Sequence, residues 1–165
     1  MKGSQPEVVT RRRVVAGVEG SPNSLLALRR TVYAARLCGA SVELVRVLPS
    51  DATPAAQRAG LAMLEMAIRC EFPGGTGVPV RYTVECGDPA EILVKRSVGA
   101  ELLVIGGRCH PAHGKLLGGD VVPYCLGRVA CPLDICADQR APARPASKTR
   151  PRAMLKAGEF RCVRR

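Results

Sequence analysis

The sequence predicts an α/β domain built on a five-stranded parallel sheet, in an open, doubly wound arrangement of three layers. Short apolar runs alternate along the chain with segments of helical periodicity, as βαβ units require. Hydrophobic residues make up 47% of the chain, yet Trp is absent and only three Tyr and two Phe occur. The core therefore has to be built from Val, Leu, Ile and Ala, which are typical of parallel strands buried on both faces. The length of 165 residues suits one domain.

The first strand and the first helix follow each other near the amino terminus. Residues 14–18 form a short apolar run that ends at Glu19. Ser21 and Pro22 then supply an N-cap and a proline at the first helical position. Apolar residues recur at helical spacing as far as Gly39, a typical C-terminal stop. This pattern predicts a strand that leads directly into a helix.

Two further strands surround a second helical pattern. Residues 41–48 are predicted to form the second strand, which Pro49 closes. Residues 54–71 place Leu, Ala and Ile on one face and predict the second helix, which ends before Pro73. Residues 78–86 place Val and Tyr at alternate positions, which predicts the third strand.

The segment around residue 88 carries the clearest local signal in the chain. Asp88 is placed to cap a third helix, Pro89 to open it, and Glu91 to complete a capping box at the third helical position. Lys and Arg near the expected end of the helix complement its dipole. We expect this helix to run to Val98.

The remaining elements continue the alternation. Residues 102–105 are fully apolar and predict the fourth strand, which a glycine-rich loop follows. A fourth helix is predicted over 121–129 and a last strand over 132–136. Since each strand leads to a helix, we expect parallel strands with right-handed crossovers. Ligands of such sheets bind beyond the carboxyl ends of the strands.

Most of the positive charge lies at the end of the chain. Residues 139–165 contain nine of the 25 Lys and Arg residues and one of the 14 Asp and Glu residues, so they carry +8 of the formal net charge of +11. This segment lacks apolar periodicity and is rich in Pro, Ala and Arg, which predicts a disordered basic tail. Residues 1–12 are expected to be a flexible amino terminus, so the folded domain is predicted to span residues 13–138.

Composition also bears on location and on metals. The chain has no apolar stretch of about 20 residues and no signal peptide pattern, which predicts a cytoplasmic protein without a membrane partner. Its eight cysteines form no Cys-x-x-Cys pair and are interpreted as buried, reduced thiols. Cys109, His110 and His113 resemble half a zinc site, but no second ligand pair stands at a suitable spacing, so no metal site is predicted.

Three segments, taken in order, resemble the universal stress protein family. They are VVAGVEGSPNSLLAL, VECGDPAEILV and LLVIGGRCHPAHGKLLGGDVV, which are similar to the first strand, the start of the third helix and the nucleotide loop of that family. The likeness spans roughly residues 14–137. It implies an adenine nucleotide alpha hydrolase-like fold with strand order 3-2-1-4-5. It also implies a site for ATP or AMP, with Mg²⁺ only where a nucleotide binds.

Two residues depart from the loop of the family. That loop has Gly, two residues, Gly, nine residues, then Gly followed by Ser or Thr, and it wraps nucleotide phosphates at a helix N-terminus. Gly106 and Gly119 match the first and last glycines, whereas Cys109 stands at the second glycine and Asp120 at the Ser or Thr. Cys109 would cost ~1–2 kcal/mol if a left-handed conformation is required there.

Asp120 has the larger expected effect, because it brings a negative charge to the phosphates. At about 4 Å, one carboxylate and one phosphate charge repel by about 4 kcal/mol at an effective dielectric constant of about 20, which weakens binding about a thousandfold. Mg²⁺ held between Asp120 and the phosphates would remove this penalty, and positive charge from Arg108, Lys115 or Arg46 would reduce it. Alternatively, Asp120 simply caps the fourth helix.

The resemblance also assigns adenosine contacts to the ends of the first two strands. Glu19 stands where the family usually has Asp; it would bind a ribose hydroxyl, or it is a solvated turn residue. Arg46 lies in an apolar strand, where an unpaired charge is costly, so it either emerges at the carboxyl end or faces solvent at an edge. The candidate site residues are Gly17, Val18, Glu19, Val47, Gly106, Arg108, Cys109, Gly119, Asp120 and Val121.

These features lead to three hypotheses for function. The first is a stress-response module with an adenine nucleotide site and at most slow ATP hydrolysis, because no catalytic arrangement of nucleophile and base is suggested. The resemblance implies a homodimer through the last strand, residues 129–136, whose open edge would offer unpaired backbone groups. The second is a dimeric protein-interaction module of the same fold that binds an unidentified protein and no nucleotide. The third is weak nucleic-acid binding by the basic tail, without base stacking.

Overall fold

Among the residues that the structure describes, the sheet has five parallel strands and one short antiparallel strand. The computed structural model describes residues 12–107 and 121–137 and the backbone of residues 163–164. The strands are β1 (Arg13–Gly17), β2 (Ser41–Leu48), β3 (Val80–Cys86), β4 (Leu102–Gly106), β5 (Leu133–Cys136) and β6 (Val163–Arg164). They lie in the order β3-β2-β1-β4-β5-β6, and only β6 is antiparallel to its neighbour. The predicted parallel sheet with order 3-2-1-4-5 is thereby confirmed.

Helices cover both faces of the sheet and complete three layers. They are α1 (Pro22–Cys38), α2 (Pro54–Glu71), α3 (Pro89–Ser97) and α4 (Val121–Cys125). α1 and α2 pack on one face, and α3 and α4 pack on the other. The central strands are buried on both sides because successive residues face opposite layers. In β1, for example, Val14 and Ala16 belong to the α1 layer and Val15 to the α3 layer.

Local sequence signals explain where three of the helices begin. Ser21 and Thr53 each accept a hydrogen bond from a backbone N–H in the first turn of the helix. Asp88 accepts from the N–H groups of Ala90 and Glu91, at 2.8 and 2.9 Å. These side chains satisfy donors that have no partner within the helix. The predicted caps of the first and third helices are therefore confirmed.

Most boundaries that differ from the prediction, including those of β1, β4 and β5, do so by one or two residues, and the end of α4 differs by four. α4 ends at Cys125 and not at residue 129, because Gly127 comes soon after it with a φ of 79°, a conformation that glycine favours and that interrupts a helix. β3 begins at Val80, two residues later than predicted, because Pro79 has no N–H to donate to a sheet. α3 ends at Ser97, one residue early, with Val98 as the extended C-cap.

The outer edge of β5 is paired, whereas the sequence predicts an open edge. Ile135 lies opposite Val163, and Asp134 lies opposite Arg164. Two residues assigned to a disordered tail thus belong to the sheet, while residues 138–162 lie outside the described residues. The pairing of these two residues is a contact between segments distant in sequence, which periodicity does not reveal.

A charged cluster on the α3 side of the sheet was not predicted. Glu43 is only 4% exposed, and its carboxylate lies 2.7 Å from Nη1 of Arg96 and 3.1 Å from Nε of Arg13. The Thr83 hydroxyl also donates to Glu43, at 3.2 Å. A carboxylate buried in a sheet requires such partners, because its desolvation would otherwise be costly.

Candidate functional site

The carboxyl ends of β1 and β4 lie side by side at the centre of the sheet. Gly17 is opposite Ile105 in the parallel register. From β1 the chain enters α1 on one face, whereas α4, which comes after β4 in sequence, lies on the other face. The direction of winding therefore reverses between these strands, and such a switch point is where open α/β sheets bind ligands. We call the region between residues 17–19 and residues 106–107 the switch-point crevice.

The first turn of α1 packs tightly against the end of β4. The side-chain amide of Asn23 donates a hydrogen bond to the carbonyl of Gly107. A Cβ added at Gly106 would lie 2.7 Å from the backbone carbonyl carbon of Asn23 and from the backbone nitrogen of Ser24. Gly106 is therefore required by the packing of backbone against backbone, whether or not a phosphate approaches it.

Glu19 organises the turn between β1 and α1. Its carboxylate accepts hydrogen bonds from the backbone N–H and the hydroxyl of Ser21 and from the Ser24 hydroxyl at 3.1 Å. The Ser24 hydroxyl oxygen accepts in turn from the Gly20 N–H at 3.0 Å. Glu19 is exposed, but it is held by this network and places a negative charge at the N-terminus of α1, where the helix dipole favours it.

Arg46 reaches the same end of the sheet from β2. Its Nη1 donates to the backbone carbonyl of Glu19, whereas its Nε is buried without a hydrogen-bond partner among the described residues. The aliphatic part of the side chain lies near Gly60 of α2, where an added Cβ would be 3.5 Å from Cγ of Arg46. The guanidinium of Arg46 thus emerges at the carboxyl end of β2, which is one of the two positions that the sequence allowed. The other, a solvent-facing position on an edge strand, is wrong, because β2 lies between β3 and β1.

The other two candidates of the first strand have different neighbours. A Cβ added at Gly17 would lie 3.0 Å from Cδ1 of Leu93. The lack of a side chain at Gly17 therefore leaves room for Leu93 of α3 to pack there. Val18 is buried in the α1 layer, and its N–H donates to the carbonyl of Val45 at 2.9 Å. This bond extends the pairing of β1 and β2 beyond the end of β1.

The structure brings together only part of the predicted site. Residues 17–19 and Gly106 meet at the switch-point crevice, while Val47 and Val121 pack at the margin of the α3 and α4 layer. Arg108, Cys109, Gly119 and Asp120 lie outside the described residues. Their assignment to a phosphate loop stays a prediction.

Two residues that shape the crevice were missed by sequence reasoning. Asn23 and Ser24 were regarded only as part of the first helix, yet they contact Gly107 and Glu19. The signal available was the cluster of small polar residues directly after Gly20, since Ser and Asn at a helix start commonly bond to neighbouring backbone.

A cavity of about 530 Å³ lies at the opposite end of the sheet. It is bordered by α1 and by the amino ends of β1, β4 and β5, and it includes Tyr33, Leu37 and Leu133. Ligands of open α/β sheets bind at the carboxyl ends of the strands. This cavity is therefore separate from the switch-point crevice.

The described part of the chain offers neither a cluster of metal ligands nor a membrane-spanning helix. Residues 12–107 and 121–137 contain no group of three or more His, Cys, Asp or Glu side chains that could hold a metal ion. None of the helices described is long and apolar enough to cross a membrane. The predicted half-site of Cys109, His110 and His113 lies outside these residues.

The fold is that of an open, doubly wound α/β domain whose winding reverses at the switch point between β1 and β4. The model of the universal stress protein family matches residues 10–136. The chain therefore belongs to the universal stress protein family. No curated protein sequence matches the chain.

Solved structures support the same fold. A universal stress protein from Archaeoglobus fulgidus is 23% identical, with a TM-score of 0.61 over 74% of this chain and 96% of that one. A structure described as the universal stress protein from the same organism in complex with dAMP is 20% identical, with a TM-score of 0.58 over 74% of this chain and 94% of that one. An Arabidopsis thaliana family member with AMP bound is 19% identical, with a TM-score of 0.55 over 83% and 99% of the two chains.

Proposed function

We propose that this universal stress protein is a stress-response module that binds an adenine nucleotide, ATP or AMP, at the switch-point crevice. The observation that carries the proposal is the register that sets Gly17 beside Ile105. It gathers residues 17–19 and the described start of the glycine-rich loop at one point, which is the position expected for a ligand of this sheet.

Relatives with bound nucleotides support the choice of ligand. Structures of similar proteins are described as complexes with dAMP, with AMP and with cAMP. The loop that begins at Gly106 would supply backbone N–H groups to the phosphates, and the end of β2, at Val47, would lie beside the base. Mg²⁺ would join the site only together with a nucleotide.

The charges at the crevice argue for weak binding. Glu19 contributes a carboxylate, and Asp120 would add a second one next to the phosphates. The guanidinium of Arg46 contacts the Glu19 carbonyl and offsets part of this negative charge. We therefore expect affinity well below that of a site with Ser or Thr at position 120.

Calorimetric titration with ATP, ADP and AMP, with and without Mg²⁺, tests the proposal. We expect saturable binding, and we expect Asp120→Ser to tighten it at least tenfold because a repulsive charge is removed. Asp120→Glu keeps the charge and is the matched control, with no gain expected. Cys109→Gly should add a smaller gain if the loop needs a glycine conformation there.

One result would reject nucleotide binding, namely no heat for any nucleotide with the native chain and with the Asp120→Ser, Cys109→Gly double variant. The second candidate, a protein-interaction module without nucleotide, would then stand; it is favoured by the engagement of the Glu19 carboxylate with Ser21 and Ser24. Equal affinity of Asp120→Ser and Asp120→Glu would instead reject only the charge argument and leave nucleotide binding in place.

We further propose that two copies associate through β5, the last of the five parallel strands. The outward side of that strand carries backbone groups that a second copy would pair with. Sedimentation velocity over a range of protein concentrations tests this proposal. A single monomeric species at every concentration, also after removal of residues 163–165, would reject it.

A further inference from the structure

We propose that the outer edge of β5 is a strand-docking surface that the C-terminal residues of the same chain cover, and that association through β5 requires β6 to leave. The second part of this proposal, that association requires β6 to leave, rests on the proposed self-association through β5. The first part, that β6 covers the edge, does not. The occupant is the segment 163–164, which the structure places on the edge. Extended segments that add to a sheet edge in this way bind mainly through main-chain hydrogen bonds.

The backbone hydrogen bonds of β5 show which groups the edge presents. The carbonyls of Pro132 and Cys136 accept from amides on the β4 side, namely Leu103 at 3.0 Å and Gly107 at 2.8 Å. Backbone groups of successive residues in a strand point to opposite sides. The N–H and C=O of Ile135 therefore point away from β4, towards β6.

The same alternation fixes the chemistry of the pairing with β6. Val163 lies opposite Ile135, so these two residues exchange both of their backbone hydrogen bonds. Arg164 lies opposite Asp134 as the non-hydrogen-bonded pair, and its N–H points away from β5. Val163 is thus the residue whose main chain holds the cover in place.

The cover is small enough to be displaced. Its described part is two residues long, and bringing it to β5 from a distant position in the sequence costs conformational entropy. Each intramolecular hydrogen bond contributes little net free energy in water. A second copy that pairs along the whole of β5, from Leu133 to Cys136, would engage four residues of that strand, whereas the described part of β6 engages two.

Ile135 cannot pair with β6 of its own chain and with β5 of a second copy at the same time. This residue has one outward N–H and one outward C=O, and both are used by Val163. The C-terminal residues would therefore set the protein concentration at which copies associate. Any event that removes or engages these residues would promote association.

The alternation provides a matched pair of substitutions in the full-length protein. Val163→Pro removes the N–H that Ile135 accepts, whereas Arg164→Pro removes an N–H that points away from β5 and restricts Val163 to an extended conformation that a strand allows. Arg164→Gln controls for the lost charge. Hydrogen exchange of the Ile135 amide reports the cover, and sedimentation velocity reports association.

At a protein concentration where the chain is monomeric, we expect Val163→Pro to raise the exchange rate of the Ile135 amide about fivefold or more. This factor corresponds to the net free energy of one hydrogen bond. Arg164→Pro and Arg164→Gln should leave this rate within about twofold. Val163→Pro should also shift the monomer–dimer midpoint to lower concentration by a similar factor, as should deletion of residues 163–165.

Each outcome separates the two proposals. Equal exchange of Ile135 in the Val163→Pro and Arg164→Pro proteins would overturn the cover. Faster exchange without any dimer would support the cover and reject self-association through β5. If Val163→Pro raises the exchange rate of the Ile135 amide but leaves the monomer–dimer midpoint unchanged, the claim that β6 competes with a second copy for β5 would be overturned.

Discussion

Gly106 has a packing role that is independent of any ligand. The end of β4 lies against the first turn of α1, and the backbone of Asn23 and Ser24 occupies the place where a side chain at Gly106 would begin. The amide of Asn23 then bonds to the next carbonyl, that of Gly107. A single residue thus fixes the distance between α1 and β4, and with it one wall of the switch-point crevice.

Substitution of this glycine is expected to destabilise the fold. Gly106→Ala should lower the free energy of unfolding by about 1–3 kcal/mol, because the methyl group forces two backbone segments apart. Gly74→Ala is the control, since a Cβ there meets no atom within 4 Å. Urea unfolding measures both changes, and similar stabilities of the two variants would contradict the packing argument.

The cysteines that the structure describes differ in their accessibility. Burial raises the pKa of the Cys125 thiol to about 11, and its side chain is fully buried between α4 and the sheet. Cys70 and Cys86 are exposed, so the prediction that the cysteines are buried thiols is wrong for these two.

Thiol labelling should therefore be strongly selective. At pH 8 we expect Cys125 in the native protein to react at least about a hundredfold more slowly than Cys70 or Cys86, because only the accessible thiolate reacts. Peptide mass spectrometry assigns the label to each site. The difference should vanish in denaturant, and rapid labelling of Cys125 in the native state would contradict its burial.

Among the elements of the fold, the charged cluster around Glu43 adds polar contacts between strands that are also paired in the sheet. Arg13 of β1 forms an ion pair with Glu43 of β2, although the contact lacks hydrogen-bond geometry at Nε. The guanidinium of Arg13 also donates to the carbonyls of Arg96 and Val98, at 3.1 and 2.8 Å. Arg96 in turn pairs with Glu43 and with Glu85 of β3. The cluster thereby fastens the end of α3 to three strands.

Removal of the central charge tests this role. Glu43→Gln should lower the free energy of unfolding by about 2 kcal/mol, less than the ~3–5 kcal/mol of a fully buried pair, because the arginine side chains remain one-third exposed and are screened by solvent. Glu101→Gln breaks an exposed pair with Arg12 and should change stability much less, because solvent screens that pair. Equal effects in thermal or urea unfolding would contradict the assignment.

For the whole molecule, the distribution of charge separates the folded domain from the end of the chain. Residues 139–165 hold +8 of the net charge of +11, so attraction to polyanions should reside there. Within that segment, residues 163–164 have a second role as β6. A test of nucleic-acid binding therefore has to keep them.

Neutralising the basic segment should abolish weak binding to DNA. The five positions to change to Gln are Arg140, Arg144, Lys148, Arg150 and Arg152. We expect a loss of affinity and a slope of log K against log salt that falls by about 0.9 for each phosphate that the protein no longer neutralises. The control replaces exposed basic residues of the folded domain, namely Arg58, Arg69 and Arg81. Unchanged affinity of the first variant would remove this segment as a nucleic-acid site.

Much of the fold could be predicted from the sequence because its signals are local. The bounds of β2 and α2 were predicted correctly, since a β-branched run and a helical period each end at a proline or a cap. The length of α4 was not, because an apolar pattern does not reveal that Gly127 adopts a positive φ. Glu43 was not recognised either, since its partners Arg13 and Arg96 are distant in sequence and meet only after the strands align.

Residue patterns alone were enough to predict the class of fold and the starts of the first three helices, because periodicity and capping act through neighbouring residues. They did not reveal that Gly106 is packed against α1, that Arg46 reaches the Glu19 carbonyl or that β6 pairs with β5. Each of these depends on the distance between segments far apart in the chain, which is fixed by the packing of whole elements and leaves no periodic trace in the residues concerned.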